Sequence, residues 1–168
     1  MSDLTNAAGT QHVHVINPPS YVFFGVRMVI HLSGEQTGGN FSLIEAFMPP
    51  GGDGGLHLHV NEDETLNLLA GELEVTVADK IFTLKTGETC FIPRNTPHRL
   101  KNKSDVEVRA ILVNTPGTFD PFIKIAGIPA EIAANSVPAP PTPEQMEQLL
   151  ALAEKFGIKM ILLPGMEA

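Results

Sequence analysis

Short apolar–polar alternations, each broken by turn residues, run through the chain from Tyr21 to about residue 114. In an extended strand, residues two apart share a face. Residues 21–32 therefore predict one long strand. Val22, Phe24, Val26, Met28, Ile30 and Leu32 lie on one side, and Tyr21, Phe23, Arg27 and His31 on the other. Residues 41–48 predict a second strand with apolar side chains on both faces, Phe41, Leu43 and Phe47 against Ile44, Ala46 and Met48. Such a strand needs cover from outside its own barrel, by an N-terminal arm or a second subunit. Pro49 to Gly55 can only be a loop. Further strands are expected at 57–59, 65–69, 72–77, 81–84, 88–92, from His98, and at 106–113, with a hairpin closed by Ala78-Asp79-Lys80. His12-Val13-His14-Val15 allows one more short strand. Nine or ten short strands with no helical period between residues 20 and 114 predict an all-β barrel or sandwich and exclude βαβ units.

The pattern changes in the tail. Pro138-Ala139-Pro140-Pro141 predicts a stiff linker. Thr142, Pro143 and Gln145 then form the signature of a capped helix start. Met146, Leu149, Leu150, Ala153 and Phe156 repeat at helical spacing, and Gly157 sits at a stop position. A helix over about 143–156 follows, with a last strand at 158–163. One isolated amphipathic helix is not stable in water, so its stripe must lie on the barrel or on a partner. The expected division is an arm over 1–20, a barrel over 21–118 and an extension over 119–168.

Composition narrows the function classes. The chain has 168 residues, 43% of them hydrophobic and 18% charged, which suits a globular domain with a core. Its formal charge of −8 opposes nucleic-acid and anionic-membrane partners. Cys90 is the single cysteine, so no intrachain disulfide can form. With no apolar run long enough to span a bilayer and no visible signal segment, a cytoplasmic protein is expected.

The chemistry gathers in residues 51–71. His57 and His59 are one residue apart, so a strand aims both imidazoles at one point, and the acids Glu62, Asp63 and Glu64 follow. Imidazole nitrogens with a carboxylate are donors that first-row transition ions accept. Such an ion calls for a further, distant ligand, and the next histidine along the chain is His98. His12 and His14 have no acid nearby and are expected at the surface.

Taken together, two spaced motifs resemble the cupin superfamily. Gly51, His57, His59, Glu64 and Gly71 fill the first motif, a Gly, five residues, His-x-His, three or four residues, Glu, six residues, Gly. Gly87, Pro93, His98 and Asn102 fill the second, with Asn95 in place of its middle glycine. Asn accepts a positive φ more readily than other side chains, so the turn should survive. The resemblance implies a double-stranded β-helix, a jelly-roll barrel with the C-terminal helix packed on it. It implies one divalent transition metal ion per chain (Fe, Ni, Mn or Zn) on His57, His59, Glu64 and His98. Asp63 is the alternative carboxylate, with a shorter arm, and Glu62 is expected in solvent.

The outer segments 34–39, 115–120 and 156–158 are similar to the small single-barrel, quercetin dioxygenase-like group. This chain departs from that group at Leu66-Asn67, where such barrels often carry an aromatic pair. The implied activity is a dioxygenase using O2 on a small oxygenated, flavonol-like or enolisable substrate, with Glu64 as general base. An isomerase or lyase using the ion as a Lewis acid, or a binding protein without catalysis, are the other readings. Leu66, Leu68, Met48 and Phe91 are the expected pocket residues. Arg94 and Arg99 are read as surface arginines in preference to anion contacts. A homodimer is expected from the doubly apolar second strand.

Overall fold

Burial along residues 63–70 shows how the sheets face each other: Glu64, Leu66 and Leu68 are buried, while Thr65 and Asn67 between them are partly exposed. The computed structural model describes residues 12–134 and 142–161. Its strands are β1 (Ser20–Phe23), β2 (Val26–Leu32), β3 (Ser42–Met48), β4 (His57–His59), β5 (Asp63–Ala70), β6 (Glu72–Val77), β7 (Lys80–Lys85), β8 (Thr89–Ile92), β9 (His98–Lys101) and β10 (Val108–Thr115). Then come α1 (Asp120–Ala126), β11 (Ile128–Pro129), α2 (Ala130–Ala133), α3 (Pro143–Lys155) and β12 (Ile158–Met160). One sheet has the order β11-β1-β2-β3-β10-β5-β8 and the other β12-β4-β9-β6-β7, with antiparallel pairing throughout. The inward side chains Ile44, Leu66, Leu68, Leu73 and Val75 meet between the sheets, each at most 2% exposed. This is the all-β jelly roll that the alternation and the motifs predict, with α3 packed on it through Leu149, Leu152, Ala153 and Phe156.

Three expectations change. Residues 21–32 are not one strand. Phe24 and Gly25 both take positive φ (48° and 75°), and Phe23 pairs with Val26 across a two-residue hairpin turn. Asn-Gly is the usual sequence there, so Phe-Gly gives no local warning. The outer face of β3 is only partly apolar: Glu45, 6% exposed, lies under His31 and Arg109, and Arg27 stacks 3.6 Å above the Phe47 ring. Part of the cover demanded of an arm or a second subunit is thus supplied by the chain's own cations. Residues 12–15 form no strand, and His12 and His14 are exposed.

The tail follows its sequence. Thr142 and Gln145 make the reciprocal capping box, and Gly157 ends the helical run with φ 75°. The last strand, Ile158–Met160, ends before residue 161, while 162 and 163 of the predicted span lie outside the described residues; it pairs with β4 residue by residue, Ile158 with His59 and Met160 with His57. The proline-rich linker lies outside the described residues. Helix α1 was not legible, because its seven residues are too few to show a period.

Asn102 locks the loop before the histidine strand. It is fully buried, and its Nδ2 donates to the carbonyls of Met48, Pro49 and Val106 at 3.1, 3.0 and 2.8 Å. Its Oδ1 accepts from the Ser104 N–H and hydroxyl. Removing it strands several buried carbonyls. Asn102→Ala should lower unfolding stability by about 3 kcal/mol, measured by urea titration.

Candidate metal centre

The short β4 presents His57 and His59, and β9 presents His98 directly across from His57. One ligand nitrogen from each of the three rings lies within 4.8 Å of the others. Two ion–imidazole bonds of about 2.1 Å placed opposite each other span nearly as much, so the cluster could hold one ion with small ring shifts. In each ring Nδ1 is already engaged. His57 bonds to the Gly55 carbonyl at 3.1 Å, His98 to the Thr96 carbonyl at 2.9 Å, and His59 to the Glu62 carboxylate at 2.7 Å. With Nδ1 as donor, Nε2 carries the lone pair that a cation needs. The Nε2 atoms of His59 and His98 are buried and have no hydrogen-bond partner among the described residues.

Glu64 reaches the same point from the opposite sheet. Its carboxylate lies 3.9 Å from His59 Nε2 and 4.0 Å from His98 Nε2. Oε2 accepts from Asn114 Nδ2 at 3.2 Å, and Oε1 is buried without a partner. Orphaned buried nitrogens and a carboxylate oxygen facing one another are costly unless something satisfies them. A divalent cation would satisfy them all, so the donor set fits the group that the motifs imply.

Asp63 points the other way. It receives the Arg94 backbone N–H at 2.8 Å and the Arg94 guanidinium at 2.9 and 3.1 Å, and that guanidinium holds its carboxyl down at about 2. The structure thus separates the two candidate carboxylates: Glu64 faces the histidines and Asp63 faces Arg94. Arg99 is likewise occupied, by Asp53.

Glu62 corrects the expectation of a solvated side chain. It is 1% exposed, accepts from His59 Nδ1, and takes a second hydrogen bond from the Thr118 hydroxyl. Thr118 is brought there by a close backbone crossing: a Cβ on Gly34 would fall 1.9 Å from the Gly117 oxygen. Phe119 then sets its ring edge-on to His59, 5.0 Å between centroids. The signal for Glu62 in the sequence was a third acid in the 62–64 run, but strand parity does not extend through the loop before β5.

Burial sets the charge state of the cluster. It pushes His57 well below the usual imidazole range, helped by the neighbouring rings of His98 and His59. It also lowers His98, although Glu64 pulls the other way. For His59, burial is outweighed by Glu62 and Glu64, and the affinity for a proton rises. Two rings biased toward the neutral form and one held in a carboxylate field make a site that favours a positive charge beside Glu62 and Glu64.

Above the cluster lies an apolar cavity between the sheets. Met48 and Leu66 line it as expected. Leu68 is buried in the core and does not line the cavity, and Phe91 is 59% exposed on the outside of β8. Residues missed at the sequence level include Phe119, Phe122 and the α3 side chains Met146, Leu149 and Leu150.

Residues 45–114 match the family described as "Cupin domain". The chain has a cupin fold. An uncharacterized protein of Methanocaldococcus jannaschii is 33% identical over 75 residues, 45% of this chain and 60% of that one. Quercetin 2,3-dioxygenase of Bacillus subtilis is 25% identical over 127 residues, 76% of this chain and 37% of the enzyme. The chain thus spans less than two thirds of the length of either relative. A Thermotoga maritima crystal structure, described as a predicted oxalate decarboxylase, superposes with a TM-score of 0.55 at 24% identity, over 69% of this chain and 99% of that one. It bears on the fold alone.

Three substitutions separate the roles of these residues. His98→Ala should reduce bound transition metal to less than about a tenth of an ion per chain, read by elemental analysis, whereas Asp63→Asn should leave it unchanged. Glu62→Gln should keep the stoichiometry but weaken metal affinity by about 10–100-fold, as loss of a carboxylate behind a ligand histidine typically does, read by chelator competition.

Proposed function

We propose that this cupin is a metal-dependent dioxygenase acting on a small, oxygenated, flavonol-like or enolisable substrate. The observation that carries the reading is the meeting of His57, His59, His98 and Glu64, with buried nitrogen and oxygen atoms turned toward one another and with His57 and Glu64 lining an apolar cavity. The partial likeness to a quercetin dioxygenase is consistent with it. The ion, when bound, would lower the pKa of a substrate hydroxyl and give O2 a place beside it.

The protein's share of the work is proton handling and positioning. Asn114 fixes Glu64 through Oε2 and leaves Oε1 to take the hydroxyl proton. The Nδ1 bonds to Gly55, Glu62 and Thr96 hold the three rings in one orientation. Apolar walls keep bulk water from the deprotonated substrate.

In this reading the chain works in a reducing cytoplasm, consistent with its one free cysteine. It pairs as a homodimer through the outer face of β3 and β10, where Leu43, Phe47 and Ile111 remain partly exposed. No helix among the described residues is long and apolar enough to cross a membrane.

The test is turnover of a flavonol by the protein as purified, in an oxygen-electrode cell with metal content measured in parallel. One O2 consumed per substrate is expected. Glu64→Gln should slow turnover by about 10²–10⁴-fold. Substrate conversion without O2 uptake would replace the reading with a Lewis-acid isomerase or lyase.

A further inference from the structure

The cavity has an unusual charge balance. Among the described residues, His57 and Glu64 are the only side chains lining it that can ionise, and none of the chain's 11 lysines and arginines is in its lining. Several cations are engaged elsewhere: Arg99 and Lys101 with Asp53, Arg94 with Asp63, Arg109 with Glu45 and Lys124 with Asp120. An anionic ligand would lose its hydration with no protein cation to replace it. The walls therefore select for a neutral body.

One wall is aromatic. From the metal cluster outward, His59 meets Phe119 at 5.0 Å, Phe119 meets Phe122 at 6.1 Å, Phe122 meets Phe23 at 5.3 Å, and Phe23 meets Phe24 at 4.6 Å. All four phenylalanines line the cavity. This file of rings leads from the cluster to the β1–β2 turn, and ring stacking against it favours a planar ligand.

Beside this file, packed on α1 with Phe156 5.9 Å from Phe122, the C-terminal extension supplies more of the lining. Met146 and Leu150 of α3 line the cavity yet stand outside the packed core cluster, unlike Leu149 on the same helix face. Phe24 behaves the same way: it lines the cavity, stands outside the core and is 41% exposed. It also holds φ 48°, a conformation that a bulky side chain adopts at a cost. These three large apolar side chains are positioned for contact with a ligand more than for core packing.

We propose that the cavity binds a neutral, planar aromatic hydroxy compound against the phenylalanine file and α3, and that Met146, Leu150 and Phe24 determine which ring systems fit. The assignment deepens the proposed dioxygenase activity and rests on that reading for its catalytic meaning. The binding site itself can be tested without turnover. The probes are 2-naphthol, neutral at pH 7, and naphthalene-2-sulfonate, titrated by fluorescence against the full chain as purified.

The neutral probe should bind at least tenfold more tightly than the sulfonate. Leu150→Glu should weaken 2-naphthol binding at least tenfold with metal content and circular dichroism unchanged. Met146→Ala should shift the preference from naphthol toward a larger hydroxylated three-ring probe. Phe24→Asn should weaken naphthol several-fold while leaving Tm equal or higher, since Asn suits the turn better than Phe. A merely structural Phe24 would lower Tm and leave the affinity unchanged. Equal affinity for the two naphthalene probes, or wild-type naphthol affinity in either Leu150→Glu or Phe24→Asn, would overturn the proposal. A protein that binds naphthol with this pattern but consumes no O2 would keep the site and discard the dioxygenase.

Discussion

The cross-strand pair of His57 and His98 is the contact on which the site depends. β4 has three residues, too few to hold itself in place. It is fixed on one side by β9 and on the other by β12, so the chain's last described strand steadies the two histidines of β4. A one-residue slip of that register would turn both histidines of β4 to the wrong face. Asn102 guards against the slip from the other direction. It ties the loop before β4 to the end of β3 and to the turn after β9. Glu64 then arrives from the opposite sheet, in register with Asn114 of β10. The four groups meet because two sheets close on each other, and neither sheet holds all of them.

Bringing three imidazoles and a carboxylate out of water is unfavourable unless their polar atoms are satisfied. The fold satisfies one side of each ring with fixed acceptors and leaves the other side facing its neighbours. Glu62 shows how far that arrangement extends. A second buried carboxylate behind His59 would itself be costly, but the Thr118 hydroxyl shares it. Thr118 depends in turn on a backbone crossing that only glycines allow, at Gly34 and Gly117. Asp120 reinforces the crossing by accepting the Gly34 N–H at 2.9 Å while Lys124 sits on its other oxygen at 2.7 Å. The orientation of one imidazole is thus supported by residues as distant in sequence as 34 and 124.

The sequence carried the barrel because period-two alternation and turn residues are local signals. It carried the three-histidine cluster because the motif spacings encode strand register. Asn95 was legible for a similar reason, and adopts φ 61° where the motif has glycine. Other features were not legible. The β1–β2 turn was hidden because Phe24 continues the apolar alternation straight through a hairpin. Glu62 was hidden because its neighbours are the three-dimensional ones, His59 and Thr118, and nothing in a run of acids says which will be buried. Phe91 was misplaced because nothing in the short apolar run of β8 says which parity faces inward. Phe91 stands beside Thr65 on the outer side of that pair, while Ile92 beside Glu64 is buried.

The division of labour between barrel and extension follows from this geometry. The barrel strands hold the donors, where rigid pairing keeps them in place. The cavity walls come from the inward faces of those strands and from segments added to them: the turn at Phe24, the residues after β10 and helix α3. Such segments can change shape without moving the histidines, because they meet the barrel through apolar surfaces and not through its ladders. β12 is the exception, since it pairs directly with the histidine strand while its Met160 lines the cavity. A change of ligand that displaced Met160 would therefore be felt at His57, its strand partner, and that link couples what the cavity holds to the geometry of the cluster beneath it.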